Sequence, residues 1–298
     1  MSYNPGVKRR RLLLGVIVIA VASLEGGWLL LRRQPLPPSL IFEGITYGCD
    51  LLDPDSEGSG LVHWVRVDLG SPGIALYVTP LDPDAVGQGW QFRLRKTASV
   101  VADAKLAVAV NGTLFTAKSG WLPMSGDLAR AVETTVADHQ VSHVWKETYL
   151  LWFDDELTPR IETTKPPSDS VLKRTWWGIG GQGVGLKSGK IWDGIERGPV
   201  DSRTAVGIDS DRKLLFLAVF QSASPRRTYN VLRELGARDG MLLDGGDSTS
   251  MAIGRGARGI RPGLLTGGWR PVATHFGVRA KRLNENRPVG NSQRVDRD

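Results

Sequence analysis

The chain has 298 residues, a hydrophobic content of 41% and a formal net charge of +7, values typical of a globular protein with one large or two modest domains. Residues 1–33 hold six basic residues and one acidic residue, and residues 281–298 hold five and three, which leaves residues 34–280 neutral. Because a neutral body offers no electrostatic surface to nucleic acid, we expect no nucleic-acid partner. The single cysteine, Cys49, excludes an intrachain disulfide and a cysteine-based zinc site.

The N-terminus has the pattern of an export signal. Four basic residues at 8–11 precede an apolar stretch at 12–31 that is interrupted by Glu25. One interpretation is a cleaved secretory signal, since residues 20–22 form a small-x-small cleavage pattern. The other is an uncleaved membrane anchor, because residues 12–31 are long enough to span a bilayer. Both make residues 1–33 a targeting segment, and both predict an exported protein that is membrane-anchored, periplasmic or extracellular.

The rest of the chain is predicted to be α/β mixed, with predominantly β sheet and short packing helices in a single domain. A proline-rich stretch at 34–39 indicates a stiff linker. We therefore divide the chain into a linker and first strand region at 34–60, a main domain at 61–280 and a polar tail at 281–298. The polar composition of the tail is typical of disorder.

Apolar runs and alternating patterns bounded by turn residues predict the individual elements. The strands at 62–69 and 74–80 are expected to pair as a hairpin across a Gly-Ser-Pro-Gly turn. Helices are predicted at 95–104 and 229–235, the second ending at Gly236. Further strands are expected at 106–110, 149–153, 203–209, 214–220, 240–243 and 270–278.

The most informative segment runs from Leu242 to Met251, where an apolar strand leads directly into Asp244-Gly245-Gly246-Asp247. Two glycines let the backbone approach a ligand closely. Asp244, Asp247, Ser248 and Thr249 are then expected to crowd the mouth of a sheet, where ligands usually bind. The alternative is an ordinary β-turn, since Asp-Gly-Gly-Asp is also good turn chemistry.

Two further strand ends carry polar groups. Asn111-Gly112 follows the strand at 106–110, and Arg203 begins the strand at 203–209. Asn111 offers donors and an acceptor, and the planar guanidinium of Arg203 suits phosphate. Taken singly, Asn-Gly is a hairpin turn signal and Arg203 a surface ion-pair residue. Together with the carboxylates, the set suits an anionic, hydroxyl-rich ligand such as a sugar phosphate.

Several of these segments, in this order and spacing, resemble the phosphodiester glycosidase family. They are residues 109–115, 202–209, 234–237 and 242–249, with 270–272 as a further match. The resemblance covers residues 60–280, approximately. The family often has a third glycine where this chain has Asp247, a departure that adds a carboxylate and could create a cation site.

The resemblance implies hydrolysis of a sugar-1-phosphodiester at the glycosidic C1–O bond of an envelope or extracellular glycan, the substrate partner. Because a carboxylate stabilises the oxocarbenium-like state of this cleavage, we assign Asp244 as the principal carboxylate, Asp247 as a second one and Arg203 as the phosphate ligand. Asn111, Ser248 and Thr249 would bind sugar hydroxyls, while Gly112, Gly245 and Gly246 would shape the pocket. No cofactor or metal is assigned. The alternative is a non-catalytic envelope polysaccharide-binding or assembly protein that uses the same pocket.

Tryptophan supplies the remaining sequence candidates. The chain has ten tryptophans, and most lie in strand patterns typical of a core. Trp90, Trp121 and Trp269 lie beside glycine or in loops, so they are the better candidates for stacking on a sugar ring.

Overall fold

The computed structural model describes residues 35–120, 122–195 and 198–284. Within these ranges the chain forms four antiparallel sheets and four short helices, which confirms the predominantly β fold. The predicted signal or anchor at residues 1–33 lies outside the described residues. In the described part, no helix has both the length and the apolar character needed to cross a bilayer.

An eight-stranded sheet forms one side of the molecule, with the strand order β1-β2-β3-β17-β16-β18-β14-β15. Its first three strands are consecutive in the chain, and its central pair, β16 and β17, is a long hairpin. The strands are β1 (Leu36–Phe42), β2 (Ile45–Asp55), β3 (Gly58–Asp68), β14 (Gly183–Lys187), β15 (Lys190–Ile191), β16 (Asp201–Asp209), β17 (Leu214–Ala223) and β18 (Asp239–Leu242).

Three smaller sheets complete the β structure. One five-stranded sheet has the order β20-β19-β6-β21-β4, the other the order β10-β9-β13-β11-β12, and the three-stranded sheet the order β5-β8-β7. Their strands are β4 (Ala75–Val78), β5 (Phe92–Arg93), β6 (Val108–Asn111), β7 (Phe115–Ala117), β8 (Leu128–Ala131), β9 (Thr135–Ala137), β10 (Gln140–Val141), β11 (Tyr149–Phe153), β12 (Pro159–Glu162), β13 (Trp177–Gly181), β19 (Ser250–Ile253), β20 (Gly263–Gly267) and β21 (His275–Arg279).

The helices are α1 (Pro83–Val86), α2 (Thr97–Asp103), α3 (Asp169–Leu172) and α4 (Pro225–Glu234). The longest, α4, is preceded by the capping residue Ser224, whose hydroxyl accepts a hydrogen bond from the Arg227 amide at 3.0 Å. Proline follows at the first helical position, where its missing N–H costs nothing. The helix buries Tyr229 and Leu232 against the large sheet.

The main hydrophobic core lies between the large sheet and the two five-stranded sheets, and it is built from alternate residues of their inner faces. A second cluster fills the space between the outer face of the large sheet and α4. A third lies beneath α2, where Val100 and Val101 pack against Ala109 and Ala252. The sheets are thereby fixed against each other, and their strand ends hold the candidate site.

Two sequence predictions of local structure are wrong. The proposed stiff linker is instead largely strand, because residues 36–42 pair with β2 at the edge of the large sheet. The proposed hairpin between residues 62–69 and 74–80 does not form. β3 pairs with β2 and β17, whereas β4 pairs with β21 in a different sheet. The turn after Asp68 therefore connects two sheets.

The other predicted elements are present with shifted ends. The closing strand spans only His275–Arg279, and α4 begins at Pro225, four residues before the predicted start. The hairpin of residues 203–209 and 214–220 is confirmed in β16 and β17. Asn111-Gly112 is no hairpin turn, since β6 pairs with the distant strands β19 and β21.

Candidate functional site

The segment after β18 is a short, tightly packed turn. It runs through Leu243 and Asp244 into a 3-10 helix at Gly246–Ser248 and then into β19. A Cβ atom at Gly245 would lie 2.9 Å from the carbonyl oxygen of Ser202, and Gly246 has a φ of +58°. Both glycines are therefore required locally, one by close packing and the other by its backbone conformation.

Asn111 holds this turn against two sheets. Its side chain is fully buried, and its Nδ2 donates to the main-chain carbonyl of Asp244 at 2.7 Å. Its Oδ1 accepts from the hydroxyl of Thr204 at 2.6 Å and from the amide of Ser250 at 3.0 Å. Since the amide is occupied and buried, the prediction that Asn111 binds a sugar hydroxyl is corrected: it positions Asp244.

Gly112 packs closely at the same place. A Cβ at Gly112 would lie 2.4 Å from the hydroxyl oxygen of Thr274. The Gly112 carbonyl accepts a hydrogen bond from the Asp244 amide at 3.1 Å. Together, Asn111 and Gly112 bind both main-chain polar groups of Asp244, which fixes the backbone from which its carboxylate projects.

The carboxyl group of Asp244 is 7% exposed. Burial raises its pKa to about 6, although hydrogen bonds from Ser248 and the Gly245 amide, and the charge of Arg270, act in the opposite direction. The Gly245 amide donates to Asp244 Oδ1 at 2.9 Å. Asp244 is therefore mostly ionised at neutral pH while remaining shielded from water, which suits a charge-stabilising carboxylate.

A second buried carboxyl, Glu133, lies beside Asp244 and was missed in the sequence. Glu133 is 5% exposed, in the segment between β8 and β9. Burial, together with the negative charge of Asp244, raises its pKa to about 7. The hydroxyl of Thr113 donates to its carboxylate. A Cβ at Gly180 would lie 2.4 Å from the Glu133 Cβ, so glycine on β13 makes room for it.

Arg270 supplies the positive charge beside Asp244. Its guanidinium lies 5.3 Å from the centroid of the Phe115 ring, and its charge lowers the pKa of Asp244. Among the residues that the structure describes, its Nε is buried and has no hydrogen-bond partner. The same holds for the hydroxyl of Thr249. These groups could serve a bound ligand.

Arg203, the predicted phosphate ligand, lies beside the turn, since its Cα is 4.0 Å from where a Cβ at Gly245 would be. Its Nε donates to the Ala223 carbonyl at 2.9 Å, and its Nη2 donates to the Pro199 carbonyl. Burial lowers its pKa, and the opposing charges are those of Asp201 and Tyr229, not Asp244. Because alternate residues of a strand face opposite sides, Arg203 shares the α4 face of β16 with Ala205, whereas Thr204 faces Asn111. The role of Arg203 as the phosphate ligand stays a prediction.

A solvent-accessible cleft of about 170 Å³ lies next to the Gly246–Ser248 turn. Of the predicted residues, Gly246, Asp247 and Thr249 line it, together with Trp269. Asp247 is exposed, and Trp269 is 63% exposed. Ser248 is buried and bonds Asp244 through its side chain, so it supports the carboxylate from within the turn.

The other stacking candidates differ from Trp269. Trp90 carries the guanidinium of Arg130 over its ring at 4.8 Å, and Trp121 lies outside the described residues. Over residues 35–120, 122–195 and 198–284, no group of three or more His, Cys, Asp or Glu side chains is placed to hold a metal ion.

Comparison with known proteins places this geometry in context. The family model for phosphodiester glycosidases matches residues 104–279. That interval contains both buried carboxyls, Arg270 and the cleft. No protein with a curated description matches the chain.

Solved structures share the fold at low sequence identity. A hypothetical protein from Synechocystis aligns with a TM-score of 0.58 at 14% identity, covering 80% of this chain and 62% of that one. The zebrafish N-acetylglucosamine-1-phosphodiester alpha-N-acetylglucosaminidase catalytic domain, auto-inhibited by its pro-peptide, aligns with a TM-score of 0.55 at 17% identity, covering 82% and 85%. A putative exported protein from Burkholderia pseudomallei aligns with a TM-score of 0.52 at 12% identity, covering 77% and 75%.

Proposed function

Because this chain belongs to the phosphodiester glycosidase family, hydrolases that act on sugar phosphodiesters, we propose that it cleaves the glycosidic C1–O bond of a sugar-1-phosphodiester. The observation that carries the proposal is the meeting of Asp244, Glu133 and Arg270. Two buried carboxyls with raised pKa values lie within electrostatic reach of each other, and a guanidinium lies beside one of them. Perturbed carboxyls in such an arrangement are typical of glycoside hydrolysis.

Asp244 is assigned to the carbon side of the reaction. When the C1–O bond breaks, its electron pair leaves with the phosphate oxygen, and positive charge develops on the sugar ring. An ionised carboxylate held in a site shielded from water stabilises that charge strongly. The bonds from Asn111 and Gly112 to the Asp244 backbone keep the carboxylate in place without reorganisation.

Glu133 is assigned to the proton of the attacking water. The departing phosphate monoester is already a stable anion, since its second pKa is about 6, so it needs little acid assistance. The remaining step is proton removal from the water that bonds to C1. A carboxyl with a pKa of about 7 is suited to accept that proton at neutral pH. The Thr113 hydroxyl donates to the ionised form and favours it.

Arg270 and Thr249 are assigned to the substrate. The guanidinium of Arg270, whose charge acts on Asp244, can give phosphate a charge-assisted, planar contact. Trp269 lines the cleft with most of its ring exposed and offers a stacking surface to a sugar or to the group esterified to the phosphate. Asp247 lies at the same cleft, so we assign it to selection among substrates.

We further propose that the substrate belongs to an envelope or extracellular glycan. Support comes from the basic segment at 8–11 followed by the apolar stretch at 12–31, which is a pattern of export. Alkaline phosphatase fused after Asp298 is expected to be active, because this reporter needs an oxidising compartment. A matched fusion of a reporter that works only in the cytoplasm is expected to be inactive, and the reverse result would overturn export.

The reaction is tested with the full chain and a sugar-1-phosphate methyl diester in water labelled with oxygen-18. Cleavage of the C1–O bond transfers the label to C1 of the released sugar and leaves methyl phosphate unlabelled. Cleavage at phosphorus labels the phosphate and contradicts the proposal. Mass spectrometry of the two products separates these outcomes.

Variants connect the reaction to the site. Asp244→Asn is expected to lower kcat at least about a thousandfold, as expected when a pre-organised electrostatic contact to the transition state is lost. Asp211→Asn, in the exposed turn between β16 and β17, is the matched control and is expected to retain full activity. Saturable binding of the diester without turnover by the unaltered chain would instead favour the polysaccharide-binding alternative.

A further inference from the structure

A larger hollow lies at the opposite end of the sheet that contains β6. In the antiparallel register, Asn111 pairs with His275 at the end nearest the candidate site, whereas Val108 pairs with Ile253 and Val278 at the other end. The hollow is lined by Leu106 and Ala107, which precede Val108. Leu106 and Asn111 are five positions apart in an extended segment, roughly 16 Å at about 3.3 Å per residue. It is therefore distinct from the catalytic centre.

The hollow has a volume of about 530 Å³, within the range of ligand-binding pockets. Its floor is apolar: Phe42, Val101, Leu106 and Ala107 line it, and each is at most 3% exposed. Each of these four side chains is buried overall and exposes only a small apolar area to the hollow. The floor therefore suits a hydrocarbon group.

Three exposed cations surround this floor, namely Lys105, Arg255 and Arg282. The other described lining residues carry no charge. In the described part of the chain, none of the three makes a salt bridge or a side-chain hydrogen bond to an acid. They therefore form a positive surface that no salt bridge within the described residues neutralises.

The backbone brings each cation to the hollow in a defined way. Lys105 follows α2 with a φ of +53°, a left-handed conformation that is uncommon for lysine. Arg255 lies between two glycines that shape its turn. A Cβ at Gly254 would lie 1.9 Å from the Leu106 carbonyl oxygen, and one at Gly256, which has a φ of +97°, would lie 2.4 Å from Arg282 Nε. The turn that contains Arg255 therefore packs against Leu106 on one side and against Arg282 on the other.

We propose that this hollow binds an amphipathic phosphate, in which a phosphate head contacts Lys105, Arg255 and Arg282 and a hydrocarbon group lies on the floor. Three cations match the charge of a phosphate monoester, about −2, better than the single charge of a carboxylate. Guanidinium groups give phosphate paired, planar hydrogen bonds. The site is independent of the hydrolytic proposal, since it shares no residue with the candidate catalytic site.

The test is calorimetric titration of the full chain with octyl phosphate, with octanol and with inorganic phosphate. Octyl phosphate is expected to bind at least about tenfold more tightly than either fragment, because it alone uses both parts of the site. Equal binding of octanol and octyl phosphate would overturn the role of the cations. Absence of saturable octyl phosphate binding would overturn the proposal.

Charge reversal provides the matched comparison. Arg255→Glu with Arg282→Glu is expected to weaken octyl phosphate binding at least about tenfold. The control is Arg66→Glu with Arg226→Glu, which makes the same charge change at exposed positions distant in sequence. Equal weakening in both double variants would show a general charge effect and overturn the site. Thermal unfolding verifies that each variant folds. Ala102→Trp places a large side chain at the exposed rim of the hollow and leaves the charge unchanged, so it tests the hollow sterically.

A fluorescent probe distinguishes a free molecule from a lipid headgroup. Cys49 is buried, so an environment-sensitive dye can be attached selectively at Ala102→Cys. A spectral shift with octyl phosphate in solution but not with vesicles of phosphatidylcholine and phosphatidic acid assigns the site to a free amphipathic phosphate. A shift with these vesicles that is absent with phosphatidylcholine alone assigns it to the lipid headgroup. Either shift supports the proposal, and the absence of both overturns it.

Discussion

The side-chain amide of Asn111 donates to the main-chain carbonyl of Asp244 across 2.7 Å. This bond joins the end of β6 to the turn after β18, two places that are far apart in the chain and adjacent in the fold. Because the Asn111 Oδ1 also accepts two hydrogen bonds, every polar atom of the Asn111 side chain contributes to the geometry of the turn that holds Asp244.

Replacing Asn111 is therefore expected to affect both stability and activity. Asn111→Asp places a carboxylate oxygen against the Asp244 carbonyl, and Asn111→Ala leaves the hydroxyl of Thr204 and the amide of Ser250 without an acceptor. Each buried group left unpaired costs about 1–3 kcal/mol, so unfolding by urea is expected to show a loss of several kcal/mol. Asn230→Ala, which removes one surface hydrogen bond to Arg233, is the control, and an equal loss there would contradict the assignment.

The two carboxyls predict how activity depends on pH. Asp244 has a pKa of about 6 and Glu133 a pKa of about 7, and in the proposed mechanism both act in their ionised forms. The value of kcat/KM is therefore expected to rise through this interval and then level off, with apparent pKa values that belong to the pair. Glu133→Gln is expected to abolish the step near pH 7 and to lower the plateau. A falling limb near pH 7 would show that Glu133 acts as an acid.

The ionisation of Glu133 is also expected to lower the free energy of unfolding as the pH rises. Its pKa is raised from 4.5 to about 7 in the folded protein, so the folded state favours the protonated acid. The stability that this preference contributes is fully present below pH 4.5 and is lost as the pH rises through about 7. Glu133→Gln cannot ionise and is therefore expected to gain about 3 kcal/mol on the original chain between pH 4 and pH 8, since one pKa unit corresponds to about 1.4 kcal/mol. Urea unfolding at both pH values measures the difference, and a gain independent of pH would refute it.

Replacing Arg270 is expected to affect kcat/KM, whereas replacing Arg203 is expected to affect thermal stability. Arg270→Lys removes the planar guanidinium beside Asp244, and kcat/KM for the diester is expected to fall about tenfold or more, the range for a charged hydrogen bond. Arg203→Lys removes donors to the carbonyls of Ala223 and Pro199, so it is expected chiefly to lower the melting temperature. Steady-state kinetics and thermal melts of both variants decide the matter. A larger kinetic loss in Arg203→Lys would restore it as the phosphate ligand.

Asp247 is expected to limit the affinity for anionic substrates. It is exposed at the cleft, and the carboxylate of Asp201 lies 3.5 Å from where a Cβ at Gly246 would be. Asp247→Asn and Asp247→Gly are therefore expected to lower KM for the diester roughly two- to fivefold, an effect that should shrink at high salt because exposed charges are screened. A loss of kcat comparable to that of Asp244→Asn would instead make Asp247 a second catalytic carboxylate.

Trp269 is expected to contribute to substrate binding and little to stability. It is 63% exposed and lines the cleft, so Trp269→Ala should raise KM several-fold while leaving the melting temperature nearly unchanged, as expected for a stacking contact worth about 1 kcal/mol. Trp192→Ala is the matched control, since Trp192 is 66% exposed and does not line the cleft. Similar kinetic changes in both variants would exclude a specific stacking role.

The strand and turn at Asp244 are predictable from the sequence because their signals are local. An apolar strand ending in Asp244-Gly245-Gly246 carries both the strand and the need for glycine in adjacent residues. The hairpin of β16 and β17 is equally local. By contrast, the pairing of β4 with β21 instead of β3 is decided by burial across distant segments, which no local pattern contains.

The site residues show the same division. Glu133 follows no motif, and its proposed role rests on burial beside Asp244, which is 111 residues away in the chain. A signal was present, since Glu133 is an isolated acid within the apolar and hydroxyl-rich stretch at 128–137, where a charge requires an explanation. Arg270 lay within a segment already matched to the family. Arg203 is singled out in the sequence by its position near a strand start, and strand alternation places its side chain on the face opposite to Thr204.

The position of β6 between β19 and β21 has a consequence for how the protein folds. β6 comprises residues 108–111, but both of its neighbours come from the last fifth of the chain. Its edges therefore remain unpaired during synthesis until that last fifth has been made, and sheets built from such distant pairings form slowly. A chain whose synthesis stops before that last fifth would contain the hairpin of β16 and β17 but not the turn that holds Asp244. Activity thus reports that the C-terminal strands have docked, so a simple turnover assay can follow the final step of folding.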